Sequence, residues 1–243
     1  MKKYWPIGLF VLGLVILGLV YFFVIRTKGD KSTVLEDEVV AEIPFEKRPV
    51  VSLTPTEDGH YLKLKIDSLV VEAESLDYEL LYQTKAGITQ GVPGIIKMKG
   101  QKSAETDLLL GSESSGKFRY DEGVEEGTLT LRFRDSKGKL IGKLMTDFHM
   151  QTMVSELNSL DGKFTMSLSG KQNDFVIVME TFGAYEKLPG KLLAGPYGVF
   201  SSGDKMEGEV KLEGVVYVWN NGWKKAEGSV MGEIFVGVAS EEK

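Results

Sequence analysis

Two hydrophobic periods divide the chain. From Trp5 to Ile25 the sequence WPIGLFVLGLVILGLVYFFVI holds no charged residue over 21 positions. At about 1.5 Å per residue this predicts a helix able to cross a hydrocarbon core of roughly 30 Å. From Val50 onward the period becomes two. In HYLKLKID, Leu62, Leu64 and Ile66 alternate with Tyr61, Lys63 and Lys65. In LDYELLYQT, Leu76, Tyr78, Leu80 and Tyr82 share a face, and in TLTLRFRD, Leu129, Leu131 and Phe133 do the same. Such alternation predicts strands with one wet face, hence antiparallel sheets. Asp135-Ser136-Lys137-Gly138 supplies turn chemistry between TLTLRFRD and KLIGKLM, predicting a hairpin. Strands are expected near 50–54, 60–66, 76–84, 92–99, 105–110, 127–134 and 139–147. About seven short strands over about 100 residues is the profile of a β-sandwich.

The stretch HMQTMVSEL, His149 to Leu157, fits either a helical stripe or a strand face, and the domain boundary is placed beside it. Beyond it, KFTMSLSG puts Phe164, Met166 and Leu168 on one face. DFVIVMETF is apolar on both faces and reads as a central strand. Gly183 to Gly198 reads as a long connection around LLAG. KMEGEVKLEG turns Met206, Val210 and Leu212 inward and Glu207, Glu209, Lys211 and Glu213 outward. VVYVW, then Asn220-Asn221-Gly222, then WKKAEG is the strongest hairpin signal, because Asn-Gly tolerates the positive φ such a turn needs. In SVMGEIFVGV, Gly232 and Gly237 mark a bulge or a close backbone approach. The expected organisation is a transmembrane segment at 1–26, an acidic stalk at 27–49, and two antiparallel β-sandwich domains at 50–147 and 148–243.

The apolar run reads as a retained anchor rather than a cleaved signal. A secretory signal has a shorter apolar core and a small-residue cleavage site, whereas this run ends in Tyr21-Phe22-Phe23. Trp5 at one end and these rings at the other suit the headgroup level. Lys2 and Lys3 precede the helix while Arg26, Lys28 and Lys31 follow it, so the flanking charge is nearly balanced. The short N-terminal tail places the N-terminus inside and the body outside. Of 29 basic residues, three lie at Lys2, Lys3 and Arg26, so the remainder is more acidic than the chain's net −6. That acidity disfavours nucleic acid and anionic lipid as partners. The absence of cysteine excludes disulfides, thiolate metal sites and cysteine nucleophiles. An exported body without bridges points to a bacterial envelope.

The runs LDYELLYQT and LLLGSESSGKFRYDEGVEEGTLTLRFRD, with DGKF, FVIVMETFG and LLAGPYGVFSS further on, carry a resemblance. They resemble membrane-anchored, two-domain β-sandwich surface proteins of little-characterised bacteria, over much of residues 60–220. The resemblance implies architecture and no activity. Likeness to immunoglobulin modules is looser, since the first half lacks their cysteine pair and core Trp.

Candidate chemistry is sparse. The only histidines are His60 and His149, and no G-x-S-x-G accompanies them. The densest acidic cluster outside the stalk is YDEGVEEG, whose Asp121 and Glu125 are the candidate Ca²⁺ ligands, without the alternating Asp/Asn ligands of a calcium loop. Tyr217, Trp219 and Trp223 form an aromatic hairpin that can anchor a sugar or a peptide, or else pack as core. Trp223, just past the turn, is expected to be the exposed ring. No cofactor motif is present. The sequence therefore points to a single-pass membrane protein, extracytoplasmic and non-enzymatic, that binds an extracellular protein or glycan, adheres or scaffolds the envelope. The alternatives are a glycan- or peptidoglycan-processing enzyme using acidic residues, and a subunit of a membrane assembly.

Overall fold

The computed structural model describes Val40 and residues 42–240. The Trp5–Ile25 anchor and most of the 27–49 stalk lie outside the described residues. Among the described residues no helix is long and apolar enough to cross a membrane. The helical turn Phe45–Lys47 leads into the sheets.

The first half supplies β1 (Val50–Pro55), β2 (Tyr61–Asp67), β3 (Ser75–Gln83), β4 (Thr89–Lys97) and β5 (Ala104–Leu109). There follow β6 (Gly111–Ser114), β7 (Lys117–Tyr120), β8 (Glu126–Arg134) and β9 (Leu140–Gln151). The second half supplies β10 (Glu156–Asn158), β11 (Thr165–Leu168), β12 (Val176–Glu180), β13 (Leu192–Ser201) and β14 (Glu207–Lys211). The chain ends with β15 (Val215–Trp219), β16 (Trp223–Lys225), β17 (Ser229–Met231) and β18 (Ile234–Val238). The protein is thus mainly β, and every strand pairing among the described residues is antiparallel.

One nine-stranded sheet, ordered β16-β15-β18-β13-β12-β9-β8-β3-β4, runs through both halves. The expected boundary at 147/148 falls inside β9, whose Phe148–Gln151 pair with β12. A three-stranded sheet, β1-β2-β5, and a four-stranded sheet, β10-β11-β14-β17, complete the layers. Strand alternation divides the apolar residues between two cores. Leu62, Leu64 and Ile66 of β2 meet Leu76 and Leu80 of β3 and Leu129, Leu131 and Phe133 of β8. Phe164 and Met166 of β11 meet Val176 and Val178 of β12, Tyr197 and Val199 of β13, and Phe235 of β18.

β12 explains how both cores hold together. Ile177 and Met179 point into the first core, while Val176 and Val178 point into the second. The four residues are each 1% exposed or less. A strand apolar on both faces must be covered on both. The smaller sheets therefore cover opposite faces of the large one, with β12 and β13 shared between them. β1 is clipped to this strand pair beyond β12: Val51 N donates to Thr181 O at 3.0 Å and Gly183 N to Pro49 O at 3.0 Å.

Two stretches differ from the sequence reading. Residues from Leu192 belong to the ten-residue β13, not to a long connection around LLAG. Tyr197, Val199 and Phe200 are buried there, and Gly195-Pro196 is absorbed as register shifts against β18. GSESSGKFRY, with few apolar residues to alternate, forms the β6–β7 hairpin. Elsewhere the turn chemistry holds. Asp135 Oδ1 accepts from Lys137 N and Lys139 N in the β8–β9 turn. A Cβ on Gly237 would collide with Glu213 O, the close approach its place in β18 suggested.

The second core has a polar corner. Asp161 accepts from the Tyr197 hydroxyl at 2.5 Å and from Ser159 Oγ at 2.5 Å. Burial acts to raise this carboxyl, but the bonds from Ser159, Tyr197 and Lys163 N outweigh it and hold Asp161 below the usual carboxylate range. A carboxyl lowered on folding stabilises the fold above its unfolded value of about 3.9, and that contribution is lost as pH falls through the lower folded value. Asp161→Asn is therefore expected to lower the melting temperature at neutral pH and to narrow the gap from the wild type below about pH 4. Thermal melts across pH 2–7 measure this; an Asn variant whose deficit is the same at all pH values would contradict it.

Candidate functional site: an aromatic cleft

The β15–β16 hairpin is built as its sequence dictates. Asn221 has φ 51° and Gly222 φ 130°, values Asn and Gly accept at least cost. Asn220 N donates to Gly222 O at 3.0 Å, and Trp219 pairs across the hairpin with Trp223. The two indoles meet edge to face, with centroids 5.3 Å apart. Val218 enters the second core, so Tyr217 and Trp219 lie on the opposite face with Val215. All three aromatic residues are half-buried. Trp223 is thus not the exposed ring that its place after the turn suggested, and its Nε1 is buried without a hydrogen-bond partner.

On this face the connection between β12 and β13 brings in Tyr185, whose ring lies 5.6 Å from Trp219 at an interplanar angle of 33°. Tyr185 is 39% exposed. Its hydroxyl donates to Asp67 Oδ2 at 3.3 Å, joining the second half of the chain to β2. Lys65 Nζ lies 2.7 Å from the same oxygen. Burial, then the Asp67 carboxylate, pushes the Tyr185 hydroxyl up, while the bond to Asp67 holds the Lys65 ammonium up. Both therefore stay protonated at neutral pH.

Tyr185, Trp219, Asp67 and Lys65 wall a cleft of about 390 Å³, whereas Tyr217 and Trp223 are not among the residues that line it. Ser52 and Thr54 of β1 also line it, as do Phe200 and Ile234. Beside them Lys205 Nζ pairs with Glu233 Oε2 at 3.0 Å. The cleft combines rigid rings with hydroxyl, amide and charge-paired groups, and it is more polar than most small-molecule pockets, which are lined chiefly by apolar side chains. It needs residues 50–67 from one half and 185–234 from the other.

The remaining sequence candidates meet elsewhere. Asp121 and Glu125 line a separate cleft of about 530 Å³ together with both His60 and His149, residues far apart in the chain. Three of these four, Asp121, His60 and His149, have a structural partner. Asp121 accepts from the Tyr82 hydroxyl at 2.9 Å. His60 stacks on Tyr120 at 3.7 Å and pairs with Asp58. His149 Nδ1 lies 3.0 Å from Asn158 O, which also accepts from Gln151 Nε2. Among the described residues no three of His, Asp or Glu are grouped to hold a metal ion. Sequence reasoning missed Tyr185 altogether, since a ring in an irregular connection belongs to no periodic pattern. Comparison with protein-family models, with curated proteins and with solved structures finds no match.

Proposed function

We propose that the chain is a single-pass membrane protein whose body, two immunoglobulin-like β-sandwich halves, binds an extracellular ligand outside the cytoplasm. Trp5–Ile25 is the anchor in this reading, and catalysis is not the role. The observation that carries it is the cleft between β1–β2 and the Tyr185–Trp219 ring pair. A ring fixed at both its face and its hydroxyl loses little entropy when a ligand settles on it.

Because the chain has no cysteine, topology and contact can be read with single introduced residues. Glu57→Cys is expected to react with a membrane-impermeant maleimide on intact cells. A photo-cross-linking residue at Asn221, on the cleft, is expected to capture envelope components that the same residue at Lys97 of β4 does not. Labelling of Glu57→Cys only after permeabilisation, or identical capture at Asn221 and Lys97, would overturn the proposal.

A second reading rests on one feature. Glu180, exposed at the end of β12, is raised by partial desolvation and then by the Asp161 charge, whereas Asp161 is lowered, and both line a recess of about 180 Å³. Two carboxyls pushed in opposite directions can divide acid and base roles in glycan hydrolysis. Oligosaccharide cleavage abolished by Glu180→Gln would establish this enzymatic reading in place of the first.

A further inference from the structure

We propose that the cleft beside Tyr185 takes an uncharged saccharide, an inference that rests on the binding role above. Three observations select this ligand class. The first is the ring surface. Tyr185 exposes part of its ring to the cleft, Trp219 backs it at 5.6 Å, and Trp223 braces Trp219 edge-on at 5.3 Å. The apolar face of a pyranose packs against such a ring, while its rim of hydroxyls needs polar partners.

The second observation is that those partners are present and varied. Ser52 and Thr54 offer hydroxyls from β1, and Asn220 and Asn221 offer amides from the hairpin turn. Each hydroxyl and amide both donates and accepts, as sugar hydroxyls do. A lipid chain would leave these groups unpaired, at a cost that disfavours it.

The third is charge. The cleft's two ammonium groups are both spoken for, Lys65 by Asp67 at 2.7 Å and Lys205 by Glu233 at 3.0 Å. A phosphate, sulfate or carboxylate ligand would meet a carboxylate beside each ammonium, and a cationic ligand an ammonium beside each carboxylate. Neither sign is favoured, which leaves a neutral polar ligand. An extended peptide adding to the edge of β1 is disfavoured as well, because Val51 N is already given to Thr181 O at 3.0 Å and Val50 bridges to Phe182.

The test uses the full chain in lipid nanodiscs, since glycosidic detergents would compete. Neutral oligosaccharides of glucose, galactose, mannose and N-acetylglucosamine are titrated singly, following tryptophan fluorescence and heat. Inorganic phosphate, a sulfated oligosaccharide and an unstructured neutral peptide are titrated in parallel. At least one neutral series is expected to bind saturably and to shift the tryptophan emission. Tyr185→Ala should weaken it about tenfold, the loss of a well-placed aromatic contact. Tyr185→Phe, which keeps the ring but not the bond to Asp67, should weaken it only about two- to threefold. Tyr120→Ala, outside this cleft, should leave it unchanged, and all three variants are checked for wild-type melting.

Saturable binding of only the charged sugar, the phosphate or the peptide, sensitive to Tyr185→Ala, would overturn the saccharide assignment and leave the binding role standing. Neutral-sugar binding that ignores Tyr185→Ala would place the ligand elsewhere and overturn the proposal. Failure of every titrant would overturn the saccharide assignment alone, because capture at Asn221 tests the binding role independently.

Discussion

Val178→Asp is expected to unfold the whole body, not one half of it. Val178 is 1% exposed and sits in the second core, on a strand paired with β9 on one side and β13 on the other. The substitution removes a buried aliphatic side chain and places a carboxyl in its position, an expense of about 4 kcal/mol or more. A folded body holds only roughly 5–15 kcal/mol in total. Were the halves independent, the first core would survive, because Leu62, Leu64, Leu129 and Phe133 are untouched. They share β12, so the native methyl signals of those leucines should vanish together with the tryptophan emission of the β15–β16 hairpin. The milder Val178→Ala, at about 2 kcal/mol, keeps the fold and should show one coincident transition by both probes. Persistence of native Leu62 and Leu64 signals beside an unfolded second core would contradict the shared strand.

Phe164→Ala is expected to cost about 3–5 kcal/mol. Phe164 is fully buried, with its ring 5.5 Å from Tyr197 and 5.7 Å from Phe235. Truncation leaves a ring-sized void between β11 and the large sheet, whose strands on either side are too constrained by their own pairing to close it. For a body of this size the loss corresponds to a melting point lower by roughly 6–20 °C. Calorimetry measures it. A drop below about 3 °C would mean that the four-stranded sheet does not pack on the large one as described.

What the sequence shows and what it hides follow from the range of each interaction. Period-two alternation is local, so β1, β2, β3 and β8 lie within a residue or two of where Leu53, Leu64, Leu80 and Leu131 imply, while β9 starts within a residue of its expected place and runs four residues past its expected end, to Gln151. DFVIVMETF, apolar on both faces, does become a strand buried on both. The Asn221-Gly222 turn is local too. Sheet order is not: nothing in Phe148 or Met150 says that β9 will pair with β12. The same limit hides the site. Tyr185 reaches Trp219 through an irregular connection and reaches Asp67 from 118 residues away. His60 and His149, unconnected in sequence, share a cleft for the same reason. Alternation puts Tyr217 and Trp219 on one face of β15 with Val215, but only the fold decides that this face lies opposite Val218 and the second core, and that Trp219 lines a cleft.

The central claim is that one sheet carries two cores on opposite faces, and that the cleft beside Tyr185 exists because the halves form one body. Native-state hydrogen exchange with increasing denaturant tests it most directly. The slowest amides of β8, β12 and β18 are expected to converge on one opening free energy with one denaturant dependence. Two separate isotherms, one for β3 and β8 and another for β15 and β18, would show independent halves and remove the basis for the cleft.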